Sequence, residues 1–326
     1  MSHPVFDEQM AALDALKGRA LDASETLLVK KMLGSRSNLL VAKAARLAED
    51  NGLAQIVPEL LAAFNRFFTN PGKTDPQCWA KNALSHALMR LECRDKDVYL
   101  RGLHHYQLEP TWGGRSDSAA VLRANCAHGL VACDDIDNRA LLDLLLDLLV
   151  DEDKTVRVEA ARAIGQIGAL ASPVLRLRAL IPDEEPEVSA VCFGTLLSIE
   201  RDEAIAFVAR FLDKGDDAAG EAAFALAETH SPLALAEILK RQAYSHDPWF
   251  AAVLLRAIAL TRLPEAADFL VDLIAGDKRE APMAIEALGS AAPSGELRDR
   301  VRQAVERAES SELEKAFREH LAAPRT

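Results

Sequence analysis

The hydrophobic and polar positions in 153-DKTVRVEAARAIGQIG-168 follow the period of an α-helix. Val156, Ala160, Ala161, Ile164 and Ile167 fall on one face, and most of the polar residues fall on the other. Because alanine is small, a second helix can approach this face closely. The pattern therefore predicts an amphipathic helix that is packed tightly between others.

The same pattern occurs in seven further places along the chain. Aligned on Ile164, the equivalent positions are Ala48, Leu88, Leu130, Leu196, Leu226, Ile258 and Leu288, and we call these eight residues the anchors. Successive anchors are separated by 30 to 42 residues, and a second helical pattern lies between each pair. A sustained period of this length predicts a solenoid of helical hairpins.

The repeats resemble the HEAT-repeat superfamily, in particular the short bacterial type called PBS-lyase-like HEAT repeats. The resemblance covers roughly residues 20–293 and is strongest at 153–168. It implies an all-α, right-handed α-solenoid of about eight helical hairpins, whose second helices line a concave face. The superfamily includes scaffolds, bilin lyases, DNA-repair enzymes and metal-dependent hydroxylases, so the resemblance implies no single activity.

We expect one continuous domain over residues 1–326, with an N-terminal cap at 1–20, repeats at 21–293 and a C-terminal cap at 294–326. The last segment is highly charged, which is typical of helices that cover a final repeat.

The chain has five cysteines without a C-x-x-C pair, which indicates reduced thiols. No secretory start or long apolar run is present, so we expect a cytoplasmic protein without membrane contact.

The net charge of −12 is unevenly distributed. Residues 1–170 contain 20 Lys and Arg against 23 Asp and Glu, whereas the remainder contains 18 against 27. An acidic surface repels phosphate backbones, so nucleic-acid binding is not expected. An anionic ligand would favour the N-terminal half.

Two positions before the first four anchors lie basic or titratable side chains. These are Arg46, His86, His128 and Arg162, with Asn125 one turn before His128 and Arg90 one turn after His86. Such a row on neighbouring second helices predicts a polar, basic surface for a carboxylate, a phosphate or an acidic peptide. The alternative is an ordinary solvated surface, because outward-facing helix positions are commonly polar.

The stretch 108-LEPTWGGRS-116 is predicted to be a long turn between helices at 97–107 and 117–133. Pro110 would end the first helix, and Ser116 or Asp117 would cap the second. Gly113, Gly114 and Arg115 before a helix N-terminus make this loop a candidate anion site, because they offer backbone N–H donors and a guanidinium. His104, His105 and Trp112 are further candidate binding residues of the loop. The alternative is a packed loop in which Trp112 fills an apolar gap and Arg115 pairs with an acid.

Sequence motifs for catalysis or metal binding are absent: there is no H-E-x-x-H, no repeated His-Glu dipeptide and no G-x-S-x-G. We therefore expect no catalytic residues, cofactor or metal. Trp79 and Trp249 are expected to pack between repeats.

The predicted function is a non-enzymatic scaffold that binds a protein or acidic peptide through its first four repeats. The alternative is a PBS-lyase-like or other protein that binds a small anionic ligand at 104–117.

Overall fold

The computed structural model describes residues 3–183, 185–276 and 279–321. Within these ranges the chain forms twenty α-helices, five short 3-10 helices and one two-stranded sheet. The fold is an all-α helical repeat, as the period of the sequence predicts. The chain divides into an N-terminal unit, residues 1–170, and a C-terminal unit, residues 171–326. The prediction of one continuous domain stays a prediction.

The N-terminal unit contains ten helices and the sheet among its described residues. The helices are α1 (His3–Asp14), α2 (Ala23–Leu33), α3 (Asn38–Asp50), α4 (Val57–Arg66), α5 (Pro71–Thr74), α6 (Trp79–Arg90), α7 (Lys96–Leu103), α8 (Ala120–Val131), α9 (Asn138–Leu145) and α10 (Lys154–Gly165). The strands are β1 (Leu108–Thr111) and β2 (Gly114–Asp117). The four anchors of this unit lie on α3, α6, α8 and α10, which are the second helices of their repeats.

Aspartate or serine begins several of these helices for a common reason. The side chains of Ser37, Asp95, Asp137 and Asp153 each accept a backbone N–H from the first turn of the helix that follows. Those first-turn N–H groups have no acceptor within the helix, so a capping oxygen stabilises its start.

Small residues set how closely the helices pack. Successive second helices of the N-terminal unit contact each other, α3 with α6, α6 with α8 and α8 with α10. A methyl group added at Gly129 would lie 2.3 Å from the Tyr99 ring, so α7 and α8 approach there only because Gly129 has no side chain. Gly102 similarly lies against the Cys126 thiol.

The C-terminal unit repeats the arrangement with ten helices in the part that is described. They are α11 (Ser172–Leu180), α12 (Pro186–Glu200), α13 (Asp202–Ala209), α14 (Asp217–Glu228), α15 (Pro232–Gln242), α16 (Pro248–Leu260), α17 (Pro264–Ala275), α18 (Ala281–Ser290), α19 (Gly295–Ala308) and α20 (Ser311–His320). The second helices α12, α14, α16 and α18 pack in succession. The five 3-10 helices are Ala54–Ile56, Pro76–Cys78, Leu146–Val150, Gly168–Ala171 and Arg210–Lys214.

The charged C-terminal segment continues the helical stack. Helix α19 packs on α17, and α20 packs on α18, as the first and second helices of another hairpin would. The two helices bury Val301, Ala304, Val305 and Leu313. Their remaining positions are mainly polar, which agrees with the predicted capping helices. No helix in the described ranges is long and apolar enough to cross a membrane.

The loop of the third repeat differs from the sequence prediction. Helix α7 ends at Leu103 rather than at 107, and α8 begins at Ala120 rather than at 117. Residues 108–117 form an antiparallel hairpin in which Thr111 pairs with Gly114. Gly113 has φ +92°, which allows this tight reversal. Pro110 therefore lies inside β1 and does not end a helix.

Candidate functional site

Two polar side chains hold the hairpin against the start of α6. Both carboxylate oxygens of Glu109 accept the backbone N–H of Gln77, at 2.9 and 2.8 Å. Gln107 donates from Nε2 to the carbonyl of Asp75 at 2.7 Å and to Glu109 at 2.9 Å. Gln77 and Cys78 have φ of 61° and 54°, a region that side chains seldom occupy. The hairpin thus satisfies the N–H of a strained turn.

A buried ion pair caps α6 beneath this turn. Asp75 and Lys81 are both fully buried, and Lys81 Nζ lies 2.9 Å from Asp75 Oδ2. Asp75 also accepts the backbone N–H groups of Ala80 and Lys81 at 2.8 and 3.0 Å. Asn38 of α3 donates to the same carboxylate at 3.1 Å. A buried charge is tolerated only when it is paired and hydrogen-bonded in this way.

Arg123 of α8 is the centre of a second buried network. Its Nε and Nη2 donate to the two oxygens of Asp151, each at 2.9 Å. Its Nη1 donates to Asp117 of β2 and to the carbonyl of His105 at 3.0 Å. The guanidinium also lies 4.0 Å from the centre of the Tyr106 ring. Arg123 therefore joins the hairpin to the turn of the next repeat.

The network also sets the charge of its members. Burial alone would raise the pKa of Asp117, but the N–H groups of Gln107 and Ala119 and the Arg123 guanidinium hold that pKa below its ordinary value. Burial would lower the pKa of Arg123, yet hydrogen bonds to Asp151 and Asp117 raise it. Both groups are therefore charged near neutral pH.

The outer face of the hairpin contradicts two details of the packed-loop alternative. Trp112 is fully exposed at the tip, so it fills no apolar gap. Arg115 donates from Nη2 to the Leu108 carbonyl at 2.9 Å instead of pairing with an acid. Neither Ser116 nor Asp117 is the N-cap of α8, although Asp117 accepts the N–H of Ala119 at 3.0 Å. The polar groups of the loop that are buried bind other parts of the protein.

The two histidines before the hairpin lie in different environments. His104 is exposed, whereas His105 is half-buried with its ring 4.9 Å from that of Phe68. Burial lowers the pKa of His105, with a smaller opposing effect from Gln107, so its imidazole is mainly neutral at pH 7. Their side chains do not present one common surface.

The residues of the predicted row lie on α3, α6, α8 and α10, and glutamates lie beside four of their side chains. His86 Nδ1 lies 2.8 Å from Glu49 Oε2, and Arg90 Nε lies 3.9 Å from the other oxygen of Glu49. His128 Nε2 lies 2.8 Å from Glu159 Oε2, and Arg162 pairs with the same carboxylate.

The hydrogen bond from His128 is the largest cause of a lowered pKa at Glu159. Asn125 is buried and donates to Ser85 Oγ at 3.0 Å, so it joins two helices. Much of the predicted positive charge is therefore neutralised within the row.

The cysteines are unsuited to nucleophilic chemistry. All five are free and buried. Burial raises the pKa of Cys78 to about 12 and of Cys133 to about 11. Only a thiolate is a good nucleophile or metal ligand. Among the described residues, no group of three or more His, Cys, Asp or Glu side chains is arranged to hold a metal ion.

Arg46 lines a groove of about 310 Å³ between α1, α3 and the start of α6. The apolar part of its lining comprises Met10, Leu13, Leu39, Ala42, Leu47 and Trp79. The charged part comprises Asp14, Lys17, Lys43, Arg46 and Asp50, of which Lys43 pairs with Asp14. This groove combines apolar surface with cationic groups on the second-helix surface of the first two repeats.

Sequence reasoning missed a set of exposed apolar side chains, two of which, Leu39 and Trp79, line this groove. Leu39, Trp79 and Val121 each lie nine positions before an anchor, and they are 41%, 45% and 47% exposed. We call these three residues the first-turn row. The expected packing of Trp79 between repeats is only partly realised, and Trp249 is likewise 48% exposed. The predicted basic row came from the positions two residues before the anchors. Extending that comparison by two helical turns toward the start of each helix would have revealed the first-turn row.

These features define a helical-repeat protein whose second helices stack side by side. Residues 142–227, from within α9 to within α14, match the family model described as HEAT repeats. This match supports membership of the HEAT-repeat superfamily. No curated protein matches the chain. Its assignment to the PBS-lyase-like type stays a prediction.

Proposed function

We propose that the chain is a non-enzymatic scaffold that binds a protein or peptide partner through the second-helix surface of its first four repeats. The observation that carries this proposal is the first-turn row together with its groove. Scattered exposed apolar side chains are normal on a protein surface, but a set at one register on neighbouring helices forms a contiguous patch. Such patches are typical of interaction sites.

The polar residues of the site support binding rather than catalysis. Glu109, Asp117 and Arg123 are engaged in holding the hairpin, and the thiols are buried. The groove that contains Arg46 is lined by residues outside 104–117. The small-ligand alternative therefore gains no support from the arrangement of the loop.

The individual candidate residues take different places in this proposal. Arg46 lies in the groove and offers an exposed cation to an acidic group. The side chains that pair with glutamates lie near the C-terminal ends of α6, α8 and α10, about two or more helical turns from the start of each helix; they are His86, Arg90, His128 and Arg162. Asn125 supports the helices from inside. His104, Trp112 and Arg115 are exposed near or on the hairpin and extend the surface that a large partner would meet, whereas His105 is half-buried behind them.

Site-specific crosslinking in the native cell tests the proposal. Benzoylphenylalanine is placed at Leu39 or Val121, and at Trp249 as a control at the equivalent register of the C-terminal unit. We expect Leu39 and Val121 to form the same discrete protein adduct, and Arg46→Glu to reduce it. The Trp249 position should not yield that adduct. Identical adducts from all three positions, or none from the two N-terminal positions, would contradict the proposal.

A further inference from the structure

The first-turn row has a regular spacing. Its three residues stand on α3, α6 and α8, which are consecutive second helices in direct contact. Hydrogen bonds join these helices, from His86 to Glu49 and from Asn125 to Ser85. Their facing surfaces are rich in buried alanine, including Ala44, Ala45, Ala48, Ala83, Ala87, Ala124 and Ala127. Helices packed in this manner have axes roughly 8–10 Å apart.

This spacing matches one conformation of an extended chain. A polyproline II helix rises about 3.1 Å per residue and has three residues per turn, so every third side chain points the same way about 9 Å further on. A β-strand points alternate side chains to one face, about 6.6 Å apart, and does not match. An α-helix presents its facing side chains as a stripe about 5–6 Å apart, rather than as single contacts about 9 Å apart.

The charges beside the row indicate a second element of recognition. Lys43 is already paired with Asp14 in the groove. Within the described parts of the chain, neither Lys17 nor Arg46 forms an ion pair, and both are exposed. They face only Asp50 among the remaining charged groups of the lining. The groove thus has a local excess of positive charge in a chain of net charge −12.

We propose that the first-turn row and its groove bind an extended segment of a partner protein in the polyproline II conformation. The segment has bulky apolar side chains at every third position, one for each residue of the row. An acidic residue beside the first or second of these contacts Arg46 and Lys17. This inference rests on the proposed function and specifies the partner's chemistry.

The C-terminal unit provides an internal comparison for this proposal. At the register of the row it has Glu187, Asp217, Trp249 and Arg279. Trp249 is as exposed as Trp79, but its neighbours in the register are charged. A single exposed apolar side chain contacts only one side chain of a bound peptide, so it cannot distinguish peptides whose apolar residues are spaced differently. Trp249→Ala is therefore a matched control for Trp79→Ala.

Synthetic fluorescent peptides and the full-length chain test the spacing. One peptide has leucines at every third position of a proline-rich sequence, with a glutamate beside the first. Two others have the same composition with leucines at every second or every fourth position, and a fourth is a helix-forming peptide with leucines seven apart. Fluorescence anisotropy measures the affinity of each peptide. We expect the first to bind about tenfold or more tightly than the others.

Variants locate the binding site. Trp79→Ala and Arg46→Glu should each weaken binding of the first peptide about tenfold, whereas Trp249→Ala should leave it unchanged. Equal affinity for all spacings, preference for the helical peptide, absence of binding, or equal effects of the two tryptophan variants would overturn the inference. If crosslinking from Leu39 and Val121 still captures one discrete partner in those cases, the proposed function stands and only the segment's conformation is wrong.

Discussion

The two units differ at a buried register that their repeats share. Seven positions before the anchors, the N-terminal unit has Val41 on the second helix of its first repeat and Lys81, Arg123 and Arg157 on those of the next three, whereas the C-terminal unit has Ser189, Ala219, Ala251 and Ala281. Lys81 binds Asp75, Arg123 binds Asp117 and Asp151, and Arg157 donates to the carbonyls of Asp151 and Glu152. Three repeats of one unit therefore fasten their turns with cations, of which Lys81 and Arg123 are buried and Arg157 is half-buried, and the other unit fills the same positions with small side chains.

This difference shows where the repeat pattern constrains the chain and where it does not. The anchors stay apolar because every repeat buries them. A buried cation is retained only where carboxylates and carbonyls surround it, as they do around the turns of the N-terminal unit. The hairpin of the third repeat supplies part of that environment through Asp117, which accepts a hydrogen bond from Arg123. The charged residues of the hairpin therefore have a role in stabilising the fold, and that role requires no ligand.

The largest effect is expected from Arg123→Ala. Removing the guanidinium leaves the buried Asp151 and the half-buried Asp117 without their cation, which costs roughly 3–5 kcal/mol of unfolding free energy. Urea denaturation of the full-length chain measures this loss. Arg139→Ala removes an exposed ion pair with Asp143 and should cost less than about 1 kcal/mol. Similar losses for the two variants would show that the buried cation has no special role.

A smaller effect is expected from Gly129→Ala, which tests apolar packing in the same repeat. The new methyl group would overlap the Tyr99 ring, and such overpacking costs about 1–3 kcal/mol. The matched control is Gly194→Ala in α12 of the C-terminal unit, where a methyl group meets nothing within 4 Å. That change should stabilise the chain by roughly 0.5–1 kcal/mol, because alanine favours a helix. Thermal denaturation that shows the same sign for both variants would refute the close contact.

Acid should affect the two units unequally. The pKa of Asp117 is lower in the folded state than its ordinary value of 3.8. Its contribution is therefore complete above that pH and is lost as the pH falls through the folded pKa. Hydrogen exchange across this range should show protection disappearing around residues 105–123 before α14 and α16. In Asp117→Asn, protection near neutral pH should be lower and its acid dependence weaker.

An unchanged acid dependence in Asp117→Asn would mean that another group controls the loss. Asp143→Asn, at an exposed carboxylate of the same unit, is the control for the change of charge. It should leave the exchange profile of residues 105–123 as it is in the unmodified chain. The comparison separates the effect of the half-buried Asp117 carboxylate from the general effect of acid on a chain with many aspartates.

The smallest effect on stability is expected from Trp112→Ala. This side chain is fully exposed and fills no space in the fold, so its removal should change the unfolding free energy by less than about 0.5 kcal/mol. Equilibrium denaturation measures this directly. A loss above about 1 kcal/mol would show that the tip packs against the protein in solution.

The sequence predicted the repeat well because its evidence is local. Helical period, alanine faces and capping residues act within one or two turns, so 153–168 could be recognised as an amphipathic helix. The hairpin was not predicted because its strands have four residues each and contain Pro110. Its antiparallel pairing depends on the glycine turn and on Gln77 and Asp75, which lie about thirty residues earlier in the chain.

The amino-acid sequence by itself determined the helical repeats, the positions of their anchors and the charge difference between the two halves. Only the tertiary structure decided which polar residues are buried in the hairpin network and which apolar residues remain exposed in the first-turn row. Arg123 and Trp79 illustrate both cases, since residue type alone would have exposed the arginine and buried the tryptophan. The physical reason is that burial depends on contacts between neighbouring repeats, which a single helical pattern does not contain.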